Sequence, residues 1–301
     1  MGIYDRGYKK IFSRKDNFLK FINTFIKKDW VSYIDADNLE LIDKEFVLKD
    51  LKSKEADIIY KARIKEQDIY FYVLLEFQST VDFSMPLRFL VYMTELMKRI
   101  YLNADANERD RKSFKMPAII PIVIFSGGSE WNVVQSFKEY QSSHELFQNN
   151  IIDFTYILIN LKDLSSEELI NNANLISTIF ALDKVIDERS VIKLVLTAKR
   201  LYSKFTLQEQ IELQDWIREV FREKYKDNEQ IDELVNSFDV ENEERTVYAM
   251  EALLDNILER GRNQILMCMK LLRDNRSVED VAEETELSVD VINAVKENMG
   301  L

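Results

Sequence analysis

Apolar positions in the first 160 residues follow two rhythms. Phe18, Ile22, Phe25 and Ile26 recur three and four apart within residues 16–28, which predicts an amphipathic helix. Residues 5–13 read as a short helical lead-in. Residues 39–48 (LELIDKEFVL) and 57–64 (DIIYKARI) carry strand patterning. After the four polar residues 65–68, the nearly unbroken run 69–78 (IYFYVLLEFQ) is aromatic and β-branched, the signature of a buried central strand hairpinned to its predecessor. Residues 86–102 return to helical spacing with Pro86 at its start, where the missing N–H costs nothing. A charged loop over 103–115 leads to a further buried strand at 118–125 (AIIPIVIF), ended by Ser126-Gly127-Gly128, and to another at 153–161. Beyond about residue 164 only helical patterns remain: 166–182, 186–203, 207–225, 229–237, 243–273 and 278–298. The expected architecture is α/β, an α+β mixed sheet over residues 1–183, followed by an all-helical domain over 184–301.

Composition narrows the class. Among 301 residues, 46 % are apolar, enough for a real core, and only 6 are Gly and 3 Pro, which argues against turn-rich all-β or low-complexity chains. One cysteine, Cys268, excludes an intramolecular disulfide framework, and one histidine, His144, excludes multi-histidine metal sites. Cys268 lies on an apolar helical stripe, and His144 in a polar stretch that predicts a surface position. With no long uncharged apolar run and no secretory stretch at the start, the chain is expected to be cytoplasmic, without a membrane partner.

The net charge of -12 is uneven. Residues 1–183 hold 24 basic and 27 acidic side chains, a balance of -3. Residues 184–301 hold 17 and 26, a balance of -9. Residues 1–65 alone are positive, 15 against 11. Salt screens exposed charges beyond roughly 8–10 Å, so a locally basic front can meet phosphates although the tail repels them. The tail outlines a helix-turn-helix, with helices at 278–285 and 289–298 and Ser277 and Ser288 as N-caps. Its second helix carries Asp290 and Glu297 against one Lys296, a poor face for a major groove. Assembly into a homo-oligomer, a dimer through the helical half, is the expected use of this region.

The polar residues set into the strands carry the chemistry. Glu76 and Gln78 lie two apart near the end of the central strand, hence on one face by the period of two. Asp57 opens the preceding strand, and a tight hairpin brings that start beside the end of the next strand. Buried unpaired, such groups cost several kcal/mol. One solution is a metal ion, and carboxylate and amide oxygens suit Mg²⁺ or Mn²⁺ and not zinc. The other is an acid pair at the sheet edge, solvated or bonded to backbone.

Four segments together resemble one known family. Asp5-Arg6-Gly7-Tyr8-Lys9-Lys10-Ile11-Phe12 is similar to the D-x-x-F-K-x-[IL]-F opening of the Rpn family, the recombination-promoting nucleases also described as YhgA-like transposases. Asp57-Ile58-Ile59-Tyr60 resembles its D-[IL]-[LI]-[YF] element. Glu76-Phe77-Gln78-Ser79 with Met85-Pro86-Leu87-Arg88 and Tyr92 resembles its E-[HFM]-Q-S…M-P-x-R…Y element. Pro121–Gly127 with Trp131 resembles its P-[IV]-V-[LI]-Y-x-G…W strand. The resemblance implies a PD-(D/E)XK restriction-endonuclease-like core. There, Asp57 and Glu76 hold Mg²⁺ or Mn²⁺ for metal-assisted hydrolysis of a DNA phosphodiester, tied to recombination or mobile elements. Gln78 stands where the superfamily carries Lys. It cannot bear charge, and it is expected to orient the water. Asp5, Lys9 and Arg88 are possible accessory residues, the first as an extra acid and the others, with Lys10, for phosphate contact; Arg88 equally suits a salt bridge from helix to sheet. The alternative is a catalytically weak or inactive relative acting as a DNA-binding or protein-interaction scaffold.

Overall fold

A five-stranded sheet in simple sequential order, β1-β2-β3-β4-β5, organises the front of the chain. The computed structural model describes residues 3–42, 58–64, 67–76, 81–127, 129–184, 201, 203–221 and 243–300. The strands are β1 (Leu39–Ile42), β2 (Ile58–Ile64), β3 (Gln67–Glu76), β4 (Ala118–Phe125) and β5 (Ile157–Asn160). β1, β2 and β3 pair antiparallel, whereas β3, β4 and β5 pair parallel. The mixed α+β class expected from the patterning is therefore what the chain adopts, and helices alone make up its described C-terminal segment.

Helices cover both faces of the sheet because its strands alternate two apolar sets. Tyr60 and Phe71 point to one face, where Phe18 of α2 (Lys15–Phe25) stacks on Tyr60 with ring centroids 4.3 Å apart. α1 (Ile3–Phe12) joins this layer through Tyr8 and Phe12, and α5 (Leu175–Asp183) through Phe180. Ile59, Tyr70 and Val123 occupy the other face beneath α3 (Met85–Asn103), packed on Met85, Phe89, Met93 and Leu96. The stripe predicted at 86–102 thus forms α3 with Pro86 in its first turn.

The helical stretch at 166–182 is two helices. Residues Ser166–Asn171 form α4, Ala173 turns left-handed at φ 49°, and the Asn174 side chain caps α5 by accepting from the Ser177 amide. The predicted helix at 207–225 appears as α6 (Leu207–Trp216), continued by one wider turn over Ile217–Phe221.

That helix belongs to the front unit. The described residues up to 184, with 201 and 203–221, form one compact unit, and 243–300 lie in a second. A boundary at 183/184 follows the loss of strand patterning, but α6 buries Leu213 and Trp216, and Trp216 meets Tyr8 edge-on at 5.9 Å. Sequence separation concealed this pairing, because α6 supplies the apolar cover that α1 needs. In the second unit, α7 (Glu243–Arg273), α8 (Val278–Thr285) and α9 (Val289–Met299) enclose Cys268, Leu272, Val281, Ile292 and Val295. The Ser277 side chain caps α8, and Glu286 at φ 57° makes the turn into α9. No helix among the described residues is long and apolar enough to cross a membrane.

Candidate functional site at the sheet edge

At one end of the sheet the strand ends line up. Ile58 pairs with Val73, so β2 begins where β3 ends. In the parallel half, Glu76 pairs with Phe125 and Phe125 with Asn160, which sets the carboxyl ends of β3, β4 and β5 in one row. Carboxyl ends of parallel strands are where such sheets commonly bind ligands, because loops there are free to vary while the strands stay fixed.

The sequence-predicted residues are unevenly placed. Glu76 is the last residue of β3 and its backbone is in the ladder. Asp57, Gln78 and the side chain of Glu76 lie outside the described residues. Asp5 contributes its backbone to α1, and its side chain is likewise outside them. Lys9 is half-buried on α1, its carbonyl accepting from the Ser13 amide and hydroxyl. Lys10 faces away to carboxylates, 2.9 Å from Asp215 and 3.6 Å from Glu219, and the Asp215 hydrogen bond raises its pKa. α1 and α3 cover opposite faces of the sheet, so Lys9 and Arg88 approach from different sides.

Arg88 is held, and its holder was not evident in the sequence. Its Nη1 donates to Asp82 Oδ2 at 2.8 Å. The other Asp82 oxygen accepts from the Ser84 amide at 2.8 Å and the Ser84 hydroxyl at 2.6 Å, which fixes the turn into α3. Burial lowers the Arg88 pKa from its ordinary value, opposed by neighbouring Tyr92. The signal was the Asp-x-Ser spacing at 82–84, a turn-forming pattern ahead of a helix.

Trp131 serves the same edge by packing. It meets Phe125, the β4 partner of Glu76, at 4.9 Å, and its Nε1 donates to the Tyr156 hydroxyl at 3.1 Å. Tyr156 in turn donates to the Val134 carbonyl, and burial pushes its pKa up to about 12. Asn160 is buried beside this row and its side chain accepts from the Lys162 amide.

The donors available for a metal are oxygens. Among the described residues, no group of three or more His, Cys, Asp or Glu side chains converges. The lone Cys268 is buried in the helical unit, where burial raises its thiol pKa. His144 sits half-buried on a single turn of helix, its Nδ1 3.2 Å from the Gln141 carbonyl.

Comparison with known proteins places this fold in a family. The family described as "Putative transposase, YhgA-like" matches residues 3–214. Recombination-promoting nuclease RpnD of Escherichia coli O157:H7 is 22 % identical over 197 residues, 64 % of this chain and 71 % of that protein. The "Putative inactive recombination-promoting nuclease-like protein YjiP" of Escherichia coli K12 is 30 % identical over 94 residues, 31 % of this chain and 91 % of that protein. Inactive recombination-promoting nuclease-like protein RpnE of the same strain is 19 % identical over 197 residues, 64 % and 61 %. No solved structure matches the chain. With the match running from α1 through most of α6, and so across the whole sheet, the chain belongs to the YhgA-like, or Rpn, family.

Proposed function

We propose that the chain is a metal-dependent DNA endonuclease of the recombination-promoting kind, working at the sheet edge where β2 begins and β3 ends. The observation that carries the reading is the β2–β3 register. Ile58, which follows Asp57 directly, pairs with Val73, and the strand leaving that pair ends on Glu76, two residues before Gln78. Ile59, two residues after Asp57, and Tyr70, six before Glu76, pack toward α3.

The donor set fits a hard divalent cation, since Asp57, Glu76 and Gln78 offer only oxygen toward a metal, while the single His and Cys stand elsewhere. Asp57 and Glu76 would hold Mg²⁺ or Mn²⁺, which supplies Lewis acidity and a more acidic water. Gln78 orients the attacking water by hydrogen bonding. Arg88, at the first turn of α3 and tied to Asp82, is a cation on this face for the phosphate, whereas α1, which carries Asp5 and Lys9, covers the opposite face of the sheet. Two relatives named as inactive motivate a second reading, in which the same edge binds DNA or a protein without cutting.

Plasmid nicking with Mg²⁺ or Mn²⁺, with and without chelator, separates the two. Cleavage that chelator abolishes, and that Glu76→Ala loses while its circular dichroism and melting stay unchanged, is the expected outcome. Equal cleavage by wild type and Glu76→Ala would move the active site elsewhere, and DNA binding without cleavage would establish the second reading.

A further inference from the structure

α3 is apolar on both sides. Its inner side packs on the sheet through Met85, Phe89, Met93 and Leu96. On the outer side, Phe83 just ahead of the helix, Leu87, Val91, Met97, Tyr101 and Leu102 are between 36 % and 61 % exposed. At about 100° per residue these six fall within roughly 140° of the helix circumference. A surface helix normally fills that arc with charge. Here the arc holds one cation, Lys98, whose Nζ is drawn to Glu95 at 3.1 Å. Thr94, at the middle of the arc, shares its hydroxyl proton between the Leu90 and Val91 carbonyls, each at 2.8 Å. Covering Thr94 therefore orphans no donor.

We propose that this face seats a second copy of the chain, α3 against α3, antiparallel about a twofold axis at Thr94. The stripe is complementary to itself. Antiparallel pairing about residue 94 sets Leu87 opposite Tyr101 and Val91 opposite Met97, so apolar meets apolar along the contact. Lys98 lies within the contact with its charge already paired to Glu95 of its own copy. Counting roughly 150–200 Å² for each large side chain, the exposed fractions amount to on the order of 500 Å² per copy. The pair then buries about 1,000 Å² from these side chains alone, the threshold of a specific interface. A polyanion is a poor occupant, because phosphate contact needs several cations, whereas the arc itself supplies Lys98, paired to Glu95, and Arg109 reaches only its end, over the Tyr101 ring at 5.3 Å.

Sedimentation velocity on the full chain at micromolar concentrations should give twice the 35.7 kDa chain mass. Val91→Glu should weaken self-association at least about a hundredfold, by bringing carboxylates into an apolar contact, with unchanged circular dichroism. Thr94→Cys should form a disulfide-linked dimer under mild oxidation, since a residue on the axis meets its own mate, while Ser32→Cys on an exposed turn elsewhere should not. Native Cys268 is buried and does not compete. A wild-type chain that stays monomeric, or a Val91→Glu chain as dimeric as wild type, overturns the proposal. Failure of Thr94→Cys to cross-link in a dimeric protein overturns the Thr94 axis.

Discussion

Removing the Glu212 carboxylate should loosen α6 from the front of the chain. Glu212 is buried, and one of its oxygens accepts from Asn17 Nδ2 at 2.6 Å, across 195 residues of sequence. The other accepts from Gln208 Nε2 at 3.0 Å and pairs with Arg14 Nε at 2.5 Å. In Glu212→Ala, Asn17 retains its bond to the Ile11 carbonyl at 3.0 Å but loses its charged acceptor. A hydrogen bond to a charged group is worth about 1.5–3 kcal/mol. Arg14 is 45 % exposed, so water takes over its solvation and its loss adds only about 0.2–1 kcal/mol. The expected destabilisation is about 2–4 kcal/mol, or a fall in Tm of roughly 4–16 °C for a unit of this size. Urea unfolding at constant slope measures it, and Glu212→Gln, which keeps an acceptor for Asn17, should lose about half as much. A change below about 0.5 kcal/mol would mean that Trp216 and Leu213 hold α6 without the polar tie, and the reasoning from Glu212 would fail.

Two further outcomes are expected. Phe18→Ala removes a fully buried ring stacked on Tyr60 and should cost about 3–5 kcal/mol in chemical denaturation, whereas a cost under about 1 kcal/mol would contradict that packing. Burial alone would raise the Glu209 pKa, but Lys20 at 2.7 Å and the Thr206 amide and hydroxyl outweigh it and hold the carboxyl below its ordinary value. Its stabilising contribution is therefore full above the unfolded carboxyl pKa and lost as pH falls through the folded one. Lys20→Met should flatten the acid limb of the stability curve, and an unchanged limb refutes the assignment.

Elements with a strong period were legible from the sequence alone. The apolar runs of β3 and β4 allowed no reading but buried strands, and α7 and α8 begin and end where their stripes and the Ser277 cap predict. Breaks set by single backbone choices were not legible. Ala173 adopts a left-handed conformation that its residue type does not announce, so one apparent helix became two. Long-range partnership was hidden for another reason. Nothing in α6 itself says that its apolar side meets Tyr8 rather than the helices that follow it. At the site, spacing put Glu76 at a strand end, which the ladder shows. Asp82, the anchor of Arg88, lies between two motif segments, where its residue type alone does not mark it as a partner.

The pairing of the first helices with α6 has a consequence for how the chain is made. Lys10 and Asp215 are 205 residues apart, and Asn17 and Glu212 are 195 apart. At about 5–20 residues per second of synthesis, roughly 10–40 seconds separate the emergence of Tyr8 from that of Trp216. The sheet and α3 can assemble in that interval from nearer contacts, since each strand pairs with its sequence neighbour. The outer side of α1 cannot close. A nascent chain halted before residue 216 leaves the aromatic surface around Tyr8 without its indole cover, so α1 waits for a segment translated about 200 residues after it.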